Sequence, residues 1–255
     1  KMALNVGIKA ASNEHVIVTT TDALPASRRW VALMAKGFTY CDIVLGYCGI
    51  ERTQGFKNRM FRELRMTGSV AWLASAIRRH PYGASRHNMG FTKSLYFGVR
   101  GFNHLNMNVG EDDLFVQQVG TADNVAVVLS PKAACFEKQW GDWSWWFNRA
   151  RYFGATHRFY PLRAKAFSAI ELWARALFFV SAILSLIFLP TELRIAAGVM
   201  LAVRFLAVEF TVLRISRRLG ESNIAGMHFV FDTIEPAIRL IVRLMLCKRN
   251  ASAWR

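Results

Sequence analysis

The chain has 255 residues, 53% of them hydrophobic, and its 33 Lys and Arg against 17 Asp and Glu give a formal net charge of +16. Disorder is excluded because it needs low hydrophobicity as well as high charge, and a disulfide-stapled miniprotein is excluded by the length and by only 4 cysteines. High charge with high hydrophobicity points to segregation along the chain, in a basic membrane-attached protein or a nucleic-acid binder.

Taken in order, Met2 to Ala11 has apolar residues at helical spacing and reads as a helix. The stretch is amphipathic and is not a signal peptide. His15 to Thr20 is a β-branched run and reads as a buried strand. Ser27 to Ala35 reads as helix, with Ser27 as its cap. Asp42 to Tyr47 is a second strand, Arg59 to Arg78 a helix, and Asn124 to Leu129 a third strand. Strands alternating with helices predict an α/β layered domain. In such sheets ligands bind beyond the carboxyl ends of the strands. Asp22 lies just past the first strand, which makes it a candidate site residue.

Character changes near residue 165. After that point the only glycines are Gly198, Gly220 and Gly226, so turns become rare. Ala176 to Leu189 is uncharged, and extended back to Ile170 it reaches the ~20 residues needed to span a bilayer. Pro190-Thr191-Glu192 makes a tight turn into a second span, Ile195 to Leu213. That span carries Arg204 and Glu209, which are expected to pair with each other or with a neighbouring helix. Arg149, Arg151, Arg158, Arg163 and Lys165 precede the first span, and Arg214, Arg217 and Arg218 follow the second. The positive-inside rule then places both outer ends, and the α/β domain, on the cytoplasmic side of a cytoplasmic membrane. Ile224 to Cys247 is a third apolar stretch, interrupted by Asp232, Glu235, Pro236, Arg239 and Arg243. It reads as an amphipathic interfacial helix or a re-entrant segment, ending in a Lys248-Arg249 pair suited to anionic headgroups. The divisions are therefore residues 1–165, 166–213 and 214–255. The positive charge clusters beside apolar spans, and no zinc-finger, RRM or KH signature is present, so no nucleic-acid partner is expected. Cys41, Cys48, Cys135 and Cys247 lack C-x-x-C spacing and read as four separate reduced thiols.

Three constellations carry candidate chemistry. Asp22, in Thr20-Thr21-Asp22-Ala23-Leu24-Pro25-Ala26-Ser27, can hold a divalent cation at a strand end; its bland alternative is an Asp in a turn. Glu111-Asp112-Asp113 puts three carboxylates side by side, which raises their pKa values and suits proton transfer; its alternative is a solvated loop or helix cap. Trp140 to Tyr152 puts Trp143, Trp146 and Phe147 near one helical face, with Arg149 and Arg151 following. That reads as an interfacial aromatic belt, a set of phosphate-binding arginines, or both.

In this order, ahead of two spans, the set resembles a membrane-bound family 2 glycosyltransferase of the GT-A fold. Lys1 to Ala11, with Ala3-Leu4-Asn5 and Gly7-Ile8, resembles the helix before the metal-binding strand. Asp22 stands at the second Asp of the D-x-D motif, with Thr20 at the first, and Pro25-Ala26-Ser27 resembles the P-x-S after it. Arg86-His87-Asn88-Met89-Gly90-Phe91 resembles the acceptor-side segment before the G-F of Gly101-Phe102. Glu111-Asp112 resembles the E-D pair of the catalytic base, and Asn148 to Tyr152 resembles Q-x-x-R-W, with Asn148 for Gln and Tyr152 for Trp.

The resemblance implies a partial GT-A domain, lacking the first half-sheet, in an N-terminally truncated sequence. It implies inverting transfer from a nucleotide-sugar donor to a glycan or lipid-linked acceptor beside membrane lipids, with Mg²⁺ or Mn²⁺ at Asp22. Asp112 is then the general base, Glu111 orients the acceptor or tunes Asp112, and Asp113 is the reserve base. Arg151, Arg149 and Asn148 face the donor diphosphate, and Asn88 and His87 lie on the acceptor side. A catalytically inactive scaffold of the same fold is the alternative, favoured by Thr20 and the missing half-sheet.

Overall fold

The computed structural model describes residues 2–101, 110–139, 141–224 and 226–247. Phe102, Trp140, the side chains of Tyr152 and Cys247, and the Lys248-Arg249 pair lie outside the described residues. The chain is mixed α/β. Its elements are α1 (Met2–Ala10), β1 (His15–Val18), β2 (Ala23–Pro25), α2 (Trp30–Ala35), β3 (Ile43–Gly46), β4 (Cys48–Ile50), α3 (Phe56–Ile77) and β5 (Met89–Thr92). There follow α4 (Lys93–Gly98), α5 (Asp113–Val119), β6 (Val125–Val128), β7 (Cys135–Glu137), α6 (Trp143–Ala155), α7 (Leu162–Phe188), α8 (Thr191–Leu219) and α9 (Met227–Cys247).

Two small sheets share three chain passages. The first has the order β1-β5-β3-β6 and the second the order β2-β7-β4. β5 is antiparallel to both β1 and β3, and β6 is parallel to β3, so β1, β3 and β6 all run the same way. Each of those three leads, within a few residues, into a strand of the second sheet: β1 into β2, β3 into β4, β6 into β7. The second sheet therefore covers the carboxyl ends of the first, and the crease between them is where ligands of such sheets bind.

The core forms around β3, whose Ile43, Val44 and Leu45 are fully buried. A short unbroken apolar run buried on both faces is the pattern of a central strand flanked by helices. Phe91 of β5 and Phe115 of α5 meet there, with ring centroids 5.0 Å apart. Ser27 does not cap α2, contrary to expectation. The helix begins at Trp30 after Arg29, and no side chain caps it. The Ser27 hydroxyl instead accepts from Arg29 N–H at 3.2 Å and donates to the Lys132 carbonyl at 2.7 Å, tying this turn to the β6–β7 connection.

α7 and α8, of 27 and 29 residues, are long and apolar enough to cross a membrane, and only 6% of each apolar window is buried within the protein. A core helix of a soluble fold would bury such a surface. Arg204 and Glu209 do not pair with each other. Arg204 contacts Asp232 of α9, and Glu209 accepts from Gly226 N–H at 2.6 Å.

α9 turns its acids inward. Asp232 and Glu235 are buried and His228 lies 2.5 Å from Glu63 of α3, while Phe229, Ile234, Leu240 and Ile241 face outward. Arg175 of α7 contacts Glu235, and Arg239 of α9 reaches Glu171 of α7 at 3.0 Å. This amphipathic helix, which continues through Pro236, thus joins the hairpin to the α/β part through ion pairs and offers its apolar face to the surroundings.

Candidate active site

The β2–β7 register sets Ala23 opposite Glu137, which brings the preceding Asp22 to the buried end of β7. Lys138 N–H donates to the Asp22 carbonyl at 2.8 Å and Ala23 N–H to the Thr20 carbonyl at 3.1 Å, so the turn holds Asp22 from both sides. The third member is His87, in a turn closed by Asn88 N–H donating to Ser85 O at 3.0 Å. Thr19 adds a hydrogen bond from its hydroxyl to the His87 carbonyl at 2.9 Å. One ligand atom each from Asp22, His87 and Glu137 lie within 4.8 Å of one another.

Two arginines neutralise this group. Arg65 of α3 donates to Glu137 Oε2 at 2.8 Å, and Arg149 of α6 donates to Asp22 Oδ2 at 3.0 Å and also contacts Glu137. Burial opposes ionisation of Asp22, but the Thr20 hydroxyl first, and then His87 and Arg149, outweigh it and hold the carboxyl below its usual range. His87 is buried and surrounded by Arg65, Arg149 and Arg86. Burial first, and then those cations, push its pKa down to about 3. The imidazole is therefore neutral, the form that ligates metals. Its Nε2 is 3.6 Å from Glu137 and has no hydrogen-bond partner among the described residues. An unpaired buried nitrogen facing two carboxylates fits a divalent cation, and an imidazole in the set suits Mn²⁺ better than Mg²⁺.

The three adjacent acids separate into three roles. Asp112 precedes α5; its Oδ1 accepts from Asp113 N–H at 2.9 Å and its Oδ2 from Arg86 N–H at 3.2 Å. Burial, then the neighbouring Asp113 and Glu111 charges, raise its pKa to about 7. Glu111 pairs with Arg86 Nη1 at 2.6 Å, so it tunes Asp112 both by its charge and by holding Arg86. Asp113, the reserve base, is committed elsewhere. Its Oδ1 accepts from Leu114 N–H at 2.8 Å, and its Oδ2 accepts from the Thr156 hydroxyl and from the Tyr160 hydroxyl at 2.7 Å. It latches α5 to the end of α6, and those bonds leave it poorly placed to take a proton.

Asn88, expected on the acceptor side, is a structural pin. Its Nδ2 donates to the Tyr47 and Ala133 carbonyls, both at 2.8 Å, and its Oδ1 accepts from Trp30 Nε1 at 2.9 Å. Both amide protons are thereby used, joining the two sheets to α2. A Cβ on Gly46 would fall 2.5 Å from Asn88 Nδ2, which explains glycine there. Asn88→Ala leaves two carbonyls and an indole N–H without their partner. A loss of about 1–3 kcal/mol per unsatisfied buried group sets the scale, and a lowered urea midpoint with unchanged slope checks it.

Arg151 Nε is buried and has no hydrogen-bond partner among the described residues, which leaves it able to receive an anion. Asn148, by contrast, is exposed on α6. The aromatic face of α6 packs inward rather than forming a belt: Trp143 and Trp146 lie on Phe61 of α3, with centroids 5.3 and 6.0 Å away. Glu137 and Arg65 escaped the sequence reading. The signal for Glu137 was weak, a single acid closing the apolar run Ala133-Ala134-Cys135-Phe136.

No protein-family model matches the chain, and no curated protein sequence matches it significantly.

Proposed function

We propose that the chain is a membrane-attached, inverting GT-A glycosyltransferase that moves a sugar from a nucleotide-sugar donor to a glycan or lipid-linked acceptor. One observation carries this reading: a neutral histidine with two carboxylates, and a buried carboxylate with its pKa near 7, are joined through the single turn Ser85–Asn88 at the carboxyl ends of three like-directed strands. The resemblance of the ordered motifs adds to it. In this reading Asp112 takes the proton of an acceptor hydroxyl, and a pKa near working pH is the favourable value for that task. The oxygen attacks the anomeric carbon from the face opposite the diphosphate. Arg149 and Arg151 hold the diphosphate, and Arg65 pairs with Glu137 beside them. A divalent cation held by Asp22, His87 and Glu137 would stabilise the charge that develops on the departing diphosphate. In this reading the exposed apolar residues of α7, α8 and α9 meet the bilayer, and the arginines flanking α7 and α8 support a cytoplasmic side for the α/β part.

An inactive scaffold is the second reading, and it too has a specific observation. Arg149 already bridges Asp22 and Glu137, where a cation would sit, and Thr20 stands at the first motif position. Metal-dependent donor binding separates the two. With a panel of nucleotide-sugars and Mn²⁺, one donor is expected to raise the melting temperature of the purified chain. At 100 times its Kd the gain is about 2.7 kcal/mol. Asp22→Asn, at a position one-quarter exposed, is expected to abolish the Mn²⁺ requirement together with the gain. A donor-independent melting temperature across the panel would favour the scaffold.

A further inference from the structure

A groove of about 490 Å³ lies between the second half of α3 and the last turns of α8. That volume is in the range of pockets that enclose a small ligand. Apart from Thr211, Arg214 and Arg218 its lining is apolar, and it includes no acid. The Thr211 hydroxyl already donates to the Ala207 carbonyl at 2.8 Å, so the two guanidiniums are the polar groups the groove offers. Both arginines are exposed, and neither has an ion pair among the described residues. None of the candidate active-site residues lines this groove. Whatever binds here is therefore not a reactant at that site.

The order of groups along α8 narrows the ligand. Leu206, Phe210, Arg214 and Arg218 follow one another at four-residue steps and so share one face of the helix. Leu206 and Phe210 are 73% and 64% exposed and belong to the apolar surface of the hairpin. The arginines come next, where α8 joins the α/β part. Read along the helix, the face is apolar and then cationic, which is the complement of acyl chains followed by a phosphate. A free phosphate leaves the apolar wall in water, and an uncharged alkyl chain leaves both guanidiniums without a partner. A zwitterionic headgroup brings a cation for which the groove has no acid. We infer that the groove binds one anionic phospholipid, its phosphate paired with Arg214 and Arg218 and an acyl chain against Phe210 and the apolar wall of α3. The lipid then fastens the base of α8 to α3. This inference needs α8 to meet the bilayer and does not depend on the transferase reading.

Arg217 supplies the control. It is exposed in the same turn of α8 but does not line the groove, so its removal changes the local charge equally and leaves the site whole. The full chain is purified in a nonionic detergent and titrated with phosphatidylglycerol or phosphatidylcholine, and bound lipid is read by native mass spectrometry. Phosphatidylglycerol is expected to bind about tenfold or more tightly than phosphatidylcholine. Arg214→Gln and Arg218→Gln are each expected to weaken it about fivefold, equivalent to ~1 kcal/mol for one arginine beside an anionic lipid. Both positions are exposed, so the fold is expected to persist. Arg217→Gln is expected to change binding less than twofold. Ala74→Phe, which fills the groove from an exposed position on α3, is expected to weaken phosphatidylglycerol about tenfold with both arginines in place. Equal binding of the two lipids overturns the site. So does a loss in Arg217→Gln as large as in the other two, which marks a diffuse basic surface. Displacement by inorganic phosphate, with no change in Ala74→Phe, overturns the lipid as the occupant. A chain that stays in solution without detergent overturns the membrane reading and this site with it, whereas a detergent-requiring chain with no lipid preference overturns the site alone.

Discussion

Asp112→Asn is expected to lower sugar transfer by about 10²–10⁴-fold, the usual contribution of a positioned acid or base, while leaving the fold intact. The substitution is close to isosteric and keeps the Oδ1 acceptor that receives Asp113 N–H, while its amide nitrogen replaces the oxygen that accepts from Arg86 N–H. Stability is expected to change far less than activity. The Asp112 carboxyl is raised to about 7 by burial and by Asp113 and Glu111, against about 3.9 in an unfolded chain. Between those values the folded chain binds the extra proton, so stability falls as pH rises from about 4 to about 7. The amide removes that penalty and gives up the hydrogen bond from Arg86 N–H, so at pH 8 the variant should melt close to the parent. Activity of the parent should fall as pH drops through about 7, because the base must be ionised. A variant that loses activity and also unfolds would not bear on the base assignment. A folded variant with parental turnover rejects it.

Glu221→Ala is expected to cost about 3–5 kcal/mol, the scale for removing one partner of a buried ion pair. Glu221 follows Gly220, the left-handed cap of α8 at φ 78°, and its N–H donates to Ser216 O at 2.8 Å. Its carboxylate takes Arg62 Nε at 2.9 Å, Arg62 Nη2 at 2.5 Å and the Tyr47 hydroxyl at 2.7 Å. Arg62 is only 2% exposed, so without Glu221 its charge remains buried and unpaired. Against a typical total of 5–15 kcal/mol, that loss is a large fraction of the stability. It also releases the end of α8 from α3 and β3–β4. The measurement is the urea midpoint of Glu221→Ala beside Glu221→Gln. The amide retains hydrogen-bond acceptors for the guanidinium and should cost less. Equal, small costs would mean that water reaches Arg62 and that the pair is not a structural joint.

The parts of the fold legible in the sequence were those encoded locally. β1, β3 and β6 are runs of Val, Ile and Leu; α1 and α3 carry helical spacing; α7 and α8 are long apolar stretches. β2, β4, β5 and β7 were not seen, because each has only three or four residues and its partner is distant in the chain. β2 at residues 23–25 pairs with β7 at residues 135–137. The candidate site divides in the same way. Asp22 and the Glu111–Asp113 run stood out as acids in a basic chain. The partners that assign their roles did not. Asp113 is committed to Thr156 and Tyr160, more than 40 residues later, and Asn88 to Trp30, Tyr47 and Ala133. The pairing of Arg204 with Asp232 rather than Glu209 was equally hidden, since it depends on how α9 lies against α8.

The most direct test of glycosyl transfer is turnover by the complete, membrane-extracted protein, given a panel of nucleotide-sugars and membrane lipid extract, with Mn²⁺ or Mg²⁺ and without either. Release of nucleoside diphosphate from one donor, dependent on the metal and lost in Asp22→Asn and Asp112→Asn, is the predicted result. Turnover undiminished in both variants, or no release and no binding of any donor by the folded protein, would contradict it.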